Sequence, residues 1–233
     1  MNYAHASFNV VIAMLLLVQI RTVGQSSETN ILNRKIDINL SKATLLETLN
    51  ILAIYHRVPI GLERDTDYRQ RIAQLMYVEN GKIKWKDGTI TIKSGTLKEI
   101  LDSLVAQEPL YQWEVRDGVI NVFPTQSRDE FLKKLLETNI EKFSPKKGIN
   151  KFKLRDVIVD LSEIKALLEA ENIEVIKRYY PTRRSIYTND EVDLSISNTN
   201  VRGVLNKVAR DSEHKIWVVE RIGDKKEFLE VSF

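Results

Sequence analysis

Residues Thr89 to Val115 (TITIKSGTLKEILDSLVAQEPLYQWEV) and Asp193 to Val219 (DLSISNTNVRGVLNKVARDSEHKIWVV) align without a gap at an offset of 104 positions. Ile90 and Ile92 match Leu194 and Ile196, apolar residues that alternate with polar ones as a half-buried strand requires. Leu97, Ile100, Leu101 and Leu104 match Val201, Val204, Leu205 and Val208, the i, i+3, i+4, i+7 stripe of an amphipathic helix. Trp113 and Val115 then fall on Trp217 and Val219. Each copy therefore spells strand, helix, strand. The spacing is that of domains rather than of a solenoid. The fold class expected is α+β, with two small βαβ-type modules in tandem, each carrying amphipathic helices on a small mixed sheet and ending in a hairpin.

Turn chemistry extends the pattern in both directions. Asp117-Gly118 separates the alternating runs Tyr111 to Val115 and Val119 to Phe123, which is the short-range signature of a type I′ hairpin. Ile222-Gly223-Asp224 plays that part in the second copy, and Asp87-Gly88, between KIKWK and TITIK, predicts a further hairpin or bend. Upstream, Ile36 to Leu40 (IDINL) alternates like a strand and Ser41 stands where an N-cap would. Leu45, Leu46, Leu49, Leu52 and Ala53 form a helical stripe, and Val58 to Leu62 is a short strand. Asn150 to Asn172 is expected to hold two helices, the second over Glu163 to Ala170, followed by a strand over Ile173 to Tyr180.

Composition bounds the chemistry. The chain has 233 residues, 35 Lys plus Arg against 32 Asp plus Glu, three His and no Cys. Disulfides, thiolate metal sites, thiol nucleophiles and cysteine lipidation are excluded. A net charge of +3 spread among so many ions describes a mixed surface, which makes nucleic acid a poor partner. Phe8 to Ile20 is a mostly apolar run of the length of a secretory h-region, too short to span a bilayer, with small residues Thr22 and Gly24 before Gln25. We expect a signal peptide over residues 1–24, with an uncleaved anchor as the alternative because the n-region lacks Lys and Arg. The expected domains are 25–125 and 126–233, and the mature chain, with no transmembrane span, is expected in the periplasm or secreted.

Taken together, the strand IDINL, the helical stretch TLLETLNILAIYHRVPI, the segment TITIKSGTLKEILDSLVA and the closing hairpin QWEVRDGVINVF make Ile36 to Pro124 resemble the secretin and TonB short N-terminal domain. Asp193 to Phe233 is similar to the second half of that domain. The resemblance implies a periplasmic protein-interaction role, in which such modules at the mouths of secretion channels or signalling receptors contact an envelope partner. With no barrel or pore segment after the module, the expectation is a free-standing protein.

For catalysis the sequence offers little. His56 and His214 stand alone, and no G-x-S-x-G, H-E-x-x-H, P-loop or G-x-G-x-x-G occurs. Glu63 to Asp67 (ERDTD) alternates carboxylates but lacks the Gly and terminal Glu of a calcium loop, so it is expected to be a solvated loop. No catalytic residue, metal ligand or cofactor is assigned. Lys177, Arg178, Tyr179, Tyr180, Arg183 and Arg184 interleave cations with aromatic rings and form the candidate contact for an anionic polymer or an acidic protein patch. Trp85, Trp113 and Trp217 are expected to pack cores and hairpins. The function expected is non-catalytic docking on an envelope assembly. The alternative is an exported enzyme or ligand binder with its site between the modules.

Overall fold

The computed structural model describes residues 30–64, 76–79, 82–85, 90–126, 129–146, 149–175, 191–192, 194–213, 215–222 and 228–232. Its architecture is α+β, built on a six-stranded mixed sheet with several two-stranded pairs beside it. The six strands are β1 (Ile60–Glu63), β2 (Tyr111–Arg116), β3 (Val119–Pro124), β4 (Glu174–Val175), β5 (Ile216–Ile222) and β6 (Phe228–Ser232). They lie in the order β4-β6-β5-β1-β3-β2. Within each half the first strand is parallel to the last, and the last is antiparallel to the one before it. The halves meet at β5 and β1, which pair in parallel with Trp217 opposite Gly61.

Helices α1 (Leu45–Ile54), α2 (Leu97–Gln107), α3 (Glu130–Glu137), α4 (Lys151–Val159), α5 (Ser162–Ala170) and α6 (Val201–Asp211) cover the sheet. Parallel pairing at the joint has a geometric consequence. β5 and β2 are equivalent by sequence yet run in opposite senses, so the second half is turned over relative to the first and its helices lie on the other face. The alternation along β5 records this. Ile216 and Val218 join the core of α1 and α2, whereas Trp217 and Val219 join the core of α3 to α6. A strand buried on both faces must be apolar at successive positions, as the run Ile216 to Val219 is.

Local chemistry explains the elements. α1 and α2 each begin with a capping box. Thr44 Oγ1 accepts from Glu47 N while Glu47 Oε2 accepts from Thr44 N, and Thr96 and Glu99 repeat the arrangement. The first cap is thus Thr44 rather than Ser41. Ser41 lies in a short strand, Leu40–Ala43, paired with Ile90–Ile92. That pairing corrects the hairpin half of the expectation at Asp87-Gly88. Lys82–Trp85 pairs instead with Met76–Glu79, while the bend falls on residues 86–89, outside the described residues. The Asp117-Gly118 turn is as expected, with φ of 55° and 72°, the left-handed values a type I′ turn needs at both central residues. The region after Asn150 holds the two expected helices, α4 and α5.

Candidate functional site

Two places hold side chains or backbone in unusual settings, the joint between the halves and the outer edge of the sheet. At the joint, Trp217 lies across Gly61, where an added Cβ would stand 2.2 Å from Trp217 Cζ2, so only glycine admits the indole. The indole Nε1 donates to Asn206 Oδ1 at 2.9 Å. One turn earlier on α6, Arg202 Nη1 pairs with Glu63 Oε1 at 2.7 Å, with both side chains fully buried, and donates to Asn121 Oδ1 at 3.4 Å. Arg202 Nε and Nη2 are buried without a hydrogen-bond partner among the described residues. A buried pair of this kind contributes more to docking geometry than to net stability, because desolvation offsets most of its attraction. On the opposite face Arg64 Nη1 pairs with Glu220 Oε2 at 3.1 Å. α6 reaches as far as the β2–β3 turn, where Asn206 Nδ2 and Arg210 Nη1 donate to the carbonyls of Arg116 and Asp117.

At the far edge lies β2, a six-residue strand in unbroken register with β3. Among the described residues no strand flanks its other side. The two-residue turn makes Arg116 and Val119 the closing hydrogen-bonded pair, so Gln112, Glu114 and Arg116 address β3 while the amides and carbonyls of Trp113 and Val115 point outward. Trp113, Glu114 and Val115 are each half-buried. The strand carries no Lys, Pro or bulge, three of the devices that blunt sheet edges, and its charges Glu114 and Arg116 pair with each other. Of the opposite edge strand, β4, the described residues are Glu174 and Val175.

The residues singled out from sequence divide sharply. Lys177, Arg178, Tyr179, Tyr180, Arg183 and Arg184, together with His214, Asp65 and Asp67, lie outside the described residues. Glu63, expected in a solvated loop, is instead a buried residue of β1 held by Arg202. Of the tryptophans, Trp217 is fully buried and Trp113 half-buried against the α1–α2 core. Sequence reading missed Arg202 and Asn206. The helix pattern carried no signal for them, since both lie off the apolar stripe of α6 at positions that Lys98 and Asp102 fill in the first copy, and only the strands of the other half bury them.

A shallow depression of about 490 Å³ opens beside α3, lined by Glu130, Lys133, Lys134, Glu137, Glu171 and Arg221. Its ions pair among themselves and with neighbours: Lys133 with Glu130, Lys134 with Glu171, Arg221 with Asp129. Among the described residues no three His, Asp or Glu side chains gather as a metal site would need, and no helix is long and apolar enough to cross a membrane. Glu99 sits at the start of α2, in its capping box. Hydrogen bonds from the backbone and side chain of Thr96, helped by Lys35 and Lys98, hold it below the usual glutamate range. No family model, curated protein or solved structure matches the chain.

Proposed function

We propose that this chain is an exported, non-catalytic docking module of the bacterial cell envelope, built from two units like the secretin and TonB short N-terminal domain and binding an envelope assembly by strand addition at β2. The observation that carries the reading is the outer edge of β2, where Trp113 and Val115 direct backbone groups away from the sheet on a strand without Lys, Pro or bulge. An added strand would satisfy those groups by main-chain bonds and gain affinity without a deep pocket. The domain limits at residues 25–125 and 126–233, and the periplasmic or secreted location, belong to the same proposal, as does a further contact through Lys177 to Arg184.

A photocrosslinking residue at Gln112, on β2, tests it in the cells of origin. A defined adduct that disappears when Val115→Pro blocks the edge supports strand addition. An adduct unchanged by Val115→Pro, or none at all, would contradict it. The proline removes an amide that does not serve β3, so the hairpin itself survives.

A further inference from the structure

The joint inside the chain is a filled example of a groove that the first half carries open. Equivalent residues are 104 positions apart. β5 offers the carbonyls of Lys215 and Val219 to the amides of Ile60 and Arg64, and the equivalent residues of β2 are Tyr111 and Val115. Trp217, lying over Gly61, corresponds to Trp113. Arg202, which holds Glu63, corresponds to Lys98, and Asn206, which holds Trp217, corresponds to Asp102.

Burial differs at just these positions. Arg202 and Asn206 are 1% and 0% exposed because α6 lies over the strands of the neighbouring half. Lys98 and Asp102, with side chains 57% and 48% exposed, pair with each other instead. The apolar stripes of the two helices, Leu97, Ile100, Leu101 and Leu104 against Val201, Val204, Leu205 and Val208, are buried alike. What separates α2 from α6 is therefore the cover over one side, not the packing of the helix on its own strands.

We infer that the groove formed by the outer edge of β2, Trp113, Lys98 and Asp102 receives, in parallel, an extended segment of a partner protein with the chemistry of β1: aliphatic, Gly, aliphatic, Glu. This inference rests on the docking reading and names its ligand. Each requirement has a source in the joint. Glycine is needed opposite Trp113, because the indole leaves no room for a Cβ. The acid two residues on meets Lys98, a cation that replaces Arg202. Asp102 then exchanges Lys98 for the Trp113 Nε1–H, as Asn206 accepts that of Trp217. The aliphatic residues at the alternate positions face away from α2, as Ile60 and Leu62 face away from α6 into the core of their own half, and so belong to the core of the partner.

The test uses the full chain and a labelled peptide with the sequence of Val58 to Arg64 (VPIGLER), followed by fluorescence anisotropy. Binding is expected. It should fall roughly fivefold or more with Lys98→Glu and recover when the peptide carries Glu63→Lys, the return expected of one exposed ion pair. A peptide with Gly61→Val should not bind, and Val115→Pro in the chain, with an unchanged circular dichroism spectrum, should abolish binding. If peptides bind regardless of the glycine and the acid yet are lost with Val115→Pro, the inferred ligand is wrong and strand docking stands. If no peptide binds and Val115→Pro changes nothing, both fall. A chain that self-associates on its own through this edge, becoming monomeric with Val115→Pro, would show the occupant to be a second copy and overturn the inferred partner.

Discussion

Gly61 is the residue on which the joint turns. Trp217 occupies the space any side chain there would need, so Gly61→Ala must displace a buried indole and the helix that holds it. Overpacking of this kind costs about 1–3 kcal/mol, and urea unfolding should show at least the upper part of that range. Arg202 makes a second residue-scale case. Arg202→Ala leaves Glu63 buried without its cation and should cost about 3–5 kcal/mol, whereas Arg202→Met combined with Glu63→Leu should recover most of the loss, since the pair's attraction is largely offset by desolvation. If the double variant is as unstable as the single one, the pair contributes stability that this account does not assign to it. Glu99 supplies a pH signal. Its folded-state pKa lies below the ordinary value, so its contribution is complete above the ordinary glutamate range and is lost as pH falls through the folded value. Glu99→Gln should flatten the acid limb of the stability curve, read by thermal melts across pH.

At the scale of elements, helices α1 and α2, the Asp117-Gly118 hairpin and the two helices after Asn150 were legible in the sequence because each has a strong local cause: a 3.6-residue stripe, a turn dipeptide, a cap. Misreadings came where the deciding partner is remote. Nothing near Glu63 announces that Arg202, far along the chain, will pair with it, and the runs flanking Asp87-Gly88 pair with other strands whatever the turn chemistry between them. Ser41 and Thr44 are both good caps, and only the reciprocal carboxylate of Glu47 chooses between them. The pairing of β5 with β1 joins segments with no shared signal. Capping predicts a further element-scale result. Thr96→Ala removes both the side-chain acceptor and the restraint on Glu99, and should cost about 1 kcal/mol in urea unfolding.

For the molecule as a whole, two apolar cores share one sheet, and β5 contributes alternate residues to each. A strand that serves both cores couples them, so unfolding by circular dichroism and by tryptophan fluorescence should superimpose as a single transition. Separate transitions would show that the cores are energetically independent despite the shared strand. The continuous sheet also frames function. The edge at β2 is a six-residue strand without Lys, Pro or bulge, and the side chains beside it lie at the positions equivalent to those that grip a strand at the joint. Composition argued from the start against thiol and disulfide chemistry, and the structure directs attention from side-chain chemistry to backbone groups. Amide hydrogen exchange along β2, measured residue by residue, tests this most directly. In the free chain alternation is expected, with Gln112, Glu114 and Arg116 protected and Trp113 and Val115 exchanging rapidly, and the latter two become protected when the VPIGLER peptide is added; Trp113 and Val115 already protected in the free chain would contradict an open edge at β2.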